Sequence, residues 1–185
     1  MRIIAGKWRG RKIFAPKGEV TRPTADRTRE RLFSMLTSRL GDFEDLQILD
    51  LFSGSGALGL EALSRGAAHC TFVEQDKDAI RALEKNIETL AAEADVRIGS
   101  VLHLGQARKP YDLILMDPPY DSGAGAVALD KLSRHGWFAA SSWIAIETAR
   151  HENIEVKEFD VDCVRDSGKA RIHLVRPAPL SKSYT

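Results

Sequence analysis

The sequence predicts an α/β fold in which helices cover both faces of a mainly parallel sheet. Short apolar runs alternate with segments of helical period along most of the chain, which is the pattern of a doubly wound sheet. The first apolar run, residues 46–52, breaks directly into a glycine-rich turn at 53–59 and then into a helical segment, as expected for the first unit of such a fold. With 185 residues, 43% of them hydrophobic, the chain can form one catalytic domain and a short extension.

Each element can be assigned in chain order. The first helix is expected to have Thr24 as its N-cap, to carry apolar residues at helical spacing from Leu32 to Leu40, and to end near Gly41. Two late strands, 154–161 and 170–175, with a turn at 166–169, predict an antiparallel hairpin that closes the sheet. The elements between them are strand 47–51, helix 57–65, strand 70–74, helix 77–91, strand 96–98, strand 111–116, helix 125–135 and strand 143–147.

Positive charge is concentrated at the N-terminus. Residues 1–31 hold ten Lys or Arg and three acids, a net of +7, so residues 32–185 must carry −6 for the whole chain to reach +1. Residues 6–14 mix cations with glycines and Trp8, as expected for a basic hairpin that binds phosphates and stacks Trp8 on a base. The alternative is a solvated basic edge with Trp8 packed back on the domain. The candidate nucleic-acid-binding residues here are Arg2, Lys7, Trp8, Arg9, Arg11 and Lys12.

We divide the chain into a basic N-terminal extension (1–24), a catalytic domain (25–178) and a flexible tail (179–185). No apolar run approaches the roughly 18 to 20 residues of a membrane span, and the N-terminus lacks the apolar stretch of a signal peptide. We therefore expect a cytoplasmic protein with no membrane partner. Cys70, Cys163 and the five histidines show no metal-ligand spacing, so neither a metal nor a disulfide is expected.

The glycine-rich turn is a candidate cofactor loop. Gly54, Gly56 and Gly59 satisfy the G-x-G-x-x-G pattern, and Glu74 ends the next apolar run about 20 residues downstream, where a ribose-binding acid is expected. The pattern alone therefore permits a nicotinamide dinucleotide. Asp50, just before the turn, favours another ligand, because a carboxylate there would repel a pyrophosphate but attract the ammonium and sulfonium of S-adenosylmethionine.

The segment Asp117-Pro118-Pro119-Tyr120 follows an apolar run and is the candidate catalytic site. An exocyclic amine of a nucleobase is a poor nucleophile, because its lone pair is delocalised into the ring. Asp117 and the Pro118 carbonyl can accept the amine hydrogens and direct the lone pair at an electrophile. The two prolines hold these acceptors in extended geometry, and Tyr120 offers a face for a flipped base. The alternative is an ordinary turn after a strand.

If the sheet is parallel, this segment and the glycine loop lie at the same edge, since the carboxyl ends of parallel strands come together there. A methyl donor and an amine would then meet. The sequence therefore predicts methyl transfer to an exocyclic amine.

Four landmarks give the chain a resemblance to one family. They are residues 2–12, Arg22-Pro23-Thr24 with Arg29-Glu30, residues 50–62, and residues 117–120. On these landmarks the chain resembles the bacterial small-subunit rRNA (guanine-N2) methyltransferases, which modify one 16S rRNA guanine, customarily numbered 966. The glycine loop and Asp-Pro-Pro-Tyr occur in many amino-methyltransferases, whereas the basic opening joined to Arg-Pro-Thr is far more particular.

The resemblance implies a Rossmann-like class I S-adenosylmethionine-dependent methyltransferase fold with a seven-stranded sheet. It implies that the glycine loop holds the amino-acid end of the donor, and that the basic hairpin binds 16S rRNA, in an assembled or partly assembled 30S particle. We expect a monomer. The cofactor-binding candidates are Asp50, Phe52, Ser53, Gly54, Gly56, Gly59, Glu74, Ser100 and Val101, and the catalytic candidates are Asp117, Pro118, Pro119 and Tyr120.

Further positions follow from the resemblance. Arg22 lies where the family's N-terminal segment approaches the cofactor cleft, and Arg29 is expected to pair with a phosphate or with Asp26. Glu147 matches an acid that ends the fifth strand. Ser100-Val101 departs from the Ser-Asn pair that family members often carry near the donor's adenine, so a side-chain hydrogen bond worth on the order of 1 kcal/mol is lost.

Three rival functions stay open. An adenine-N6 methyltransferase of DNA or RNA would use the same Asp-Pro-Pro-Tyr, although the chain has no separate target-recognition domain. A non-catalytic rRNA-binding assembly factor would not need Asp117 or the glycine loop, and both are intact. A nicotinamide-dependent oxidoreductase would bind NAD in a simple titration.

Overall fold

The computed structural model describes residues 1–16, 23–154 and 158–179. Its elements in chain order are α1 (Pro23–Leu40), β1 (Gln47–Leu51), α2 (Ala57–Ser64), β2 (His69–Glu74), α3 (Lys77–Leu90), β3 (Ala94–Ile98), a 3₁₀ turn (Val101–His103), β4 (Tyr111–Met116), α4 (Ala124–Arg134), β5 (Phe138–Ala149), β6 (Phe159–Ser167) and β7 (Ala170–Pro177). The predicted alternation of strands and helices is confirmed.

The seven strands form one sheet in the order β3-β2-β1-β4-β5-β7-β6. Strands β1 to β5 pair in parallel, whereas β7 is antiparallel to both β5 and β6. The order reverses between β1 and β4, and parallel α/β sheets bind their ligands beside such a reversal, at the carboxyl ends of the strands. The predicted doubly wound sheet and its closing hairpin are confirmed.

Apolar residues cover both faces of the sheet. On one face, Leu36 of α1, Leu60 of α2 and Leu83 of α3 share a buried cluster with Ile48 of β1. On the other face, helix α4 and the 3₁₀ turn pack on a second cluster that includes Leu49. Because both faces are covered, the central strands are almost continuously apolar, and the polar side chains that carry chemistry are confined to the strand ends and their loops.

Four predicted elements are corrected at their N-terminal ends. Strands β3 and β5 begin earlier than predicted, at Ala94 and Phe138. Helix α1 begins at Pro23, so Thr24 lies in the first turn rather than at the N-cap; proline suits the first helical position, where its missing N–H costs nothing. Of the predicted strand 154–161, Ile154 is outside any strand, residues 155–157 lie outside the described residues, and β6 begins at Phe159. Strand β6 can pair only where β7 offers partners, and that register runs from Phe159 opposite Pro177 to Ser167 opposite Ala170.

The N-terminal segment is folded onto the domain. A single antiparallel bridge joins Arg2 to Lys12, and Ile3 both donates to Arg11 and accepts from Gly10. The predicted hairpin is therefore a bridged loop rather than a pair of regular strands. The predicted tail, residues 179–185, lies outside the described residues except for Pro179. No helix in the described ranges is long and apolar enough to cross a membrane.

Candidate active site

A cleft of about 610 Å³ opens at the carboxyl edge of the sheet, beside the reversal of strand order. This volume lies within the range of small-molecule sites. The glycine loop after β1, the end of β2, the segment after β3 and the Asp-Pro-Pro-Tyr segment after β4 all contribute to its lining. The sheet therefore brings the predicted cofactor loop and the predicted catalytic segment to one cavity.

The glycine loop is shaped by two close approaches. A Cβ on Gly59 would lie 2.4 Å from Phe72 Cε1 and 2.5 Å from Cys70 Sγ, and a Cβ on Gly56 would lie 2.4 Å from Leu83 Cδ1. Gly56 also has a φ of 79° at the N-cap of α2, a conformation that glycine adopts most readily. These glycines let α2 approach the sheet closely, so the start of α2 reaches the cleft.

Asp50 lies at the base of the loop and is 1% exposed. Its Oδ2 accepts a hydrogen bond from the Gly59 N–H at 2.8 Å, whereas Oδ1 has no partner among the described residues. Burial raises the pKa of the Asp50 carboxyl well above its usual value, and the nearby Glu74 raises it further. A buried carboxylate with an open acceptor oxygen at a cleft is stabilised by a cationic ligand, so this residue fits the ammonium-bearing end of S-adenosylmethionine.

Glu74 ends β2 and lines the same cleft. Its carboxylate accepts backbone N–H groups from Gly54 at 2.7 Å, Gln75 at 2.8 Å and Asp76 at 2.9 Å. An ionised carboxylate has about four acceptor positions, so one is left for a ligand. Glu74 therefore holds the glycine loop in place and retains the capacity to accept one ribose hydroxyl.

The remaining cofactor candidates form walls of the cleft. Ser53 is fixed by its hydroxyl, which donates to the Val73 carbonyl at 2.9 Å. Ser100 accepts from the Leu102 N–H and so caps the 3₁₀ turn. Val101 is 2% exposed and belongs to the buried apolar cluster that includes Leu49. The partly buried Phe52 packs against that cluster. The four candidates Phe52, Ser53, Ser100 and Val101 all line the cleft. Phe52 and Val101 give it apolar walls suited to a planar ring.

The Asp-Pro-Pro-Tyr segment is tied to the glycine-loop side of the sheet. The Asp117 N–H donates to the carbonyl of Leu51 at 3.5 Å, which joins the end of β4 to the end of β1. Pro118 is buried, and a Cβ on Gly125 would lie 3.2 Å from its Cγ, so α4 packs directly on the turn. Asp117 is exposed to the cleft, which is where an amine substrate would meet it.

Tyr120 is 44% exposed and donates its hydroxyl to Glu147 Oε1 at 2.7 Å. Partial burial, the hydrogen bond to Glu147 and the charge of Asp117 all raise the pKa of Tyr120, so the phenol stays protonated. Burial raises the pKa of Glu147, and the Tyr120 hydrogen bond opposes that shift. Glu147 lines the cleft, so the residue that the family pattern suggested lies beside the catalytic candidates.

Two polar residues that the motifs do not reveal join the N-terminal segment to the cofactor loop. Glu61 of α2 is fully buried and accepts the N–H groups of Ile4 at 2.8 Å and Ala5 at 3.0 Å. Asn86 of α3 is also fully buried and donates both to the Phe14 carbonyl and to the Ser55 carbonyl, each at 2.9 Å. The basic segment therefore packs directly on the elements that form the donor site.

Two nucleic-acid-binding candidates take part in this packing. Arg29 is 4% exposed and donates to Asp26 at 3.0 Å and to the Arg2 carbonyl at 2.6 Å. Its pairing with Asp26 is as expected, and it lines the cleft instead of lying on the outer surface with the other cations. Trp8 is partly buried against the core, with the Lys7 ammonium 4.4 Å from its ring centroid. Trp8 therefore packs on the domain in part, and its stacking on a base stays a prediction.

The other cations of this region are available. Arg2, Lys7, Arg9, Arg11 and Lys12 are all exposed on the N-terminal segment. Arg22 lies outside the described residues. Cys70 and Cys163 are both buried and free, and no three His, Cys, Asp or Glu side chains within the described ranges are grouped as a metal ion would require.

The sheet order and the acid-lined cleft beside a glycine loop define a class I S-adenosylmethionine-dependent methyltransferase. Comparisons with known proteins narrow this class. A family model described as "Conserved hypothetical protein 95" matches residues 1–176. The ribosomal RNA small subunit methyltransferase D of Escherichia coli (strain K12) is 41% identical over 150 residues, which cover 80% of this chain and 74% of that protein. The chain belongs to the family of the ribosomal RNA small subunit methyltransferases D.

A relative from Haemophilus influenzae with the same name is 36% identical over 164 residues, covering 85% of this chain and 83% of that protein. The solved structure of a candidate methyltransferase from Escherichia coli is 36% identical, covers 96% of this chain and 98% of its own, and superposes with a TM-score of 0.82. The fold and the S-adenosylmethionine cofactor expected from the sequence are confirmed.

Proposed function

We propose that this protein transfers a methyl group from S-adenosylmethionine to the exocyclic N2 amine of one guanine of 16S rRNA, the position customarily numbered 966. The observation that carries the proposal is the hydrogen bond from the Asp117 N–H to the Leu51 carbonyl, which joins the start of the Asp-Pro-Pro-Tyr segment to the strand that leads into the glycine loop and so supports a role for Asp117 in accepting the amine. The names of the relatives support rRNA as the substrate. The family resemblance supports guanine N2 and the 30S particle as substrate. A cytoplasmic location and a monomeric state are part of the same proposal.

S-adenosylmethionine, when bound, supplies a methyl group on a sulfonium that is already an activated leaving group. The protein's task is to align and activate the amine. Asp117 and the Pro118 carbonyl accept the amine hydrogens, which localises the nitrogen lone pair, and Tyr120 supports the flipped base from its exposed face. Fixing both reactants in one cleft can contribute several kcal/mol through proximity and orientation alone, about 7–11 kcal/mol at the upper end.

The cleft is acidic, so the substrate's phosphates must be attracted elsewhere. Asp50, Glu74, Asp117 and Glu147 all contribute to its lining, and these carboxylates repel a polyanion. The exposed cations of the N-terminal segment provide the opposite charge next to the donor loop. We infer that this segment binds the rRNA backbone while the cleft receives only the extruded base.

Two alanine variants test this division of labour. Asp117→Ala is expected to abolish transfer of labelled methyl to rRNA while the dissociation constant for S-adenosylmethionine, measured by calorimetry, changes by less than about threefold, because the proposed role of this carboxylate is to accept the amine hydrogens and not to bind the donor. Asp50→Ala is expected to weaken donor binding by roughly 10- to 100-fold, since a hydrogen bond to a charged group is worth about 1.5–3 kcal/mol. Equal loss of donor binding in both variants would contradict the proposal.

A further inference from the structure

Glu147 and Asp117 follow the same pair of residues on neighbouring strands. Met116, the last residue of β4, pairs in parallel register with Ile146 of β5, so the residue directly after β4 and the next residue of β5 are both carboxylates. Neighbouring strands lie about 4.8 Å apart, and both carboxylates line the cleft. The strand register therefore brings the two acids to the same edge of the cleft, where the substrate base is expected.

Two carboxylates at one edge of a cleft are stabilised by ligand groups that donate hydrogen bonds. One acceptor position of Glu147 is taken by the Tyr120 hydroxyl at 2.7 Å, and a carboxylate offers about four. The same hydrogen bond fixes Glu147 next to the ring on which a base would stack. A ligand edge that presents two adjacent N–H donors would satisfy both acids, whereas an edge that alternates donor and acceptor would set a lone pair against one of them.

The groups beside the exocyclic amine distinguish guanine from adenine and cytosine. Guanine carries its N1–H directly beside the N2 amine, so its edge presents adjacent donors. Adenine and cytosine place a ring nitrogen lone pair beside their amines instead. We propose that Glu147 accepts the N1–H of the target guanine while Asp117 accepts its amine, which makes Glu147 the residue that selects guanine. This inference rests on the proposed function and names the feature of the substrate that the cleft reads.

A substrate analogue tests the inference. 2-Aminopurine keeps the N2 amine but has an unprotonated N1 and a hydrogen in place of O6. 16S rRNA can be prepared by ligation with either guanine or 2-aminopurine at the target position and assembled into 30S particles. For the wild-type protein, kcat/KM for guanine is expected to exceed that for 2-aminopurine by roughly 100-fold or more, as for other sites built to hydrogen-bond a substrate N–H. Methylation of both bases within threefold would overturn the proposal.

Glu147→Gln makes the test specific to this side chain. A carboxamide can accept from guanine N1–H or donate to the N1 of 2-aminopurine, so the preference is expected to fall to about 10-fold or less. The matched control is Glu152→Gln. Glu152 is absent from the cleft lining and accepts the backbone N–H groups of Asp121 and Ala149, so this variant should keep the wild-type preference.

The outcomes separate the two proposals. An unchanged preference in Glu147→Gln, or loss of activity on both bases with S-adenosylmethionine binding intact, would overturn the role of Glu147. If Glu147→Gln does not fold, methylation of both bases within threefold by the wild-type protein would still overturn the role of Glu147. Failure of the wild-type protein to methylate the guanine-containing particle would instead contradict the proposed function.

Discussion

Glu61→Ala should loosen the N-terminal segment from the domain. Glu61 is fully buried in α2, and its carboxylate accepts from the Ile4 and Ala5 N–H groups and from Arg65 Nε at 2.9 Å. Arg29 Nε lies 3.8 Å away. Alanine would leave two backbone donors and a nearly buried guanidinium with fewer partners.

The expected loss of unfolding free energy in Glu61→Ala can be bounded from these contacts. Removing one partner of a buried ion pair costs about 3–5 kcal/mol. The lower end applies here, because Arg29 keeps Asp26 at 3.0 Å and Arg65 retains 18% side-chain exposure. For a chain of this size, about 3 kcal/mol corresponds to a fall in Tm of roughly 6–12 °C.

Thermal and chemical denaturation would measure the loss of stability, and hydrogen exchange at Ile4 and Ala5 would report release of the segment. Glu84→Ala is the matched control, since Glu84 is exposed on α3 and its loss should change the unfolding free energy by no more than about 0.5 kcal/mol. A loss below about 1 kcal/mol for Glu61→Ala, with unchanged exchange, would refute the reasoning.

Two further predictions concern stability. Gly59→Ala should lower the urea midpoint, because the added Cβ would lie 2.4 Å from Phe72 Cε1 and 2.5 Å from Cys70 Sγ; overpacking costs about 1–3 kcal/mol. Gly105→Ala, which meets nothing within 4 Å, should leave the midpoint in place, and equal behaviour of the two would be a contradiction. Burial lowers the pKa of His173 below 6.5, so the unfolded chain binds this proton more tightly. Its contribution to stability is present above about pH 6.5 and is lost as the pH falls. Unfolding free energies at pH 7.5, 6 and 5 should show a shallower decline for His173→Gln, and identical slopes would argue against this account.

The sequence predicts the fold well where local pattern decides the structure. The alternation of apolar runs and helical segments places β1, β2 and β4 closely, because these strands are buried on both faces and are almost continuously apolar. The glycine loop and Asp117 could be assigned because turn chemistry and motif spacing are local properties. Their meeting in one cleft follows from the parallel order of β1 and β4.

The features that the sequence does not reveal depend on distant partners. The pairing of Arg29 with Asp26 is local and could be predicted, whereas its hydrogen bond to the Arg2 carbonyl could not. Trp8 lies among cations, but the core covers it in part. Strand β6 pairs with β7 from Phe159 onward. The Arg2 carbonyl, the core around Trp8 and the partner strand of β6 cannot be identified from the sequence around each residue.

Glu61 could have been found by a simple signal. It lies in a short segment, 57–64, whose other residues are small or apolar, and a helix that is apolar on all sides is buried. A charged residue on such a helix needs buried partners. Which partners it has, the backbone of residues 4 and 5, depends on how the N-terminal segment packs. The pairing of Glu147 with Asp117 likewise depends on the register of β4 and β5.

Nucleoside mass spectrometry tests the central claim most directly. Unmodified 30S particles, naked 16S rRNA and duplex DNA would each be incubated with the purified protein and labelled S-adenosylmethionine, then digested to nucleosides. The account predicts label in N2-methylguanosine from the ribosomal samples, at a single guanine, and none from DNA. Label in N6-methyladenosine, or no label in any sample despite demonstrated donor binding, would contradict it.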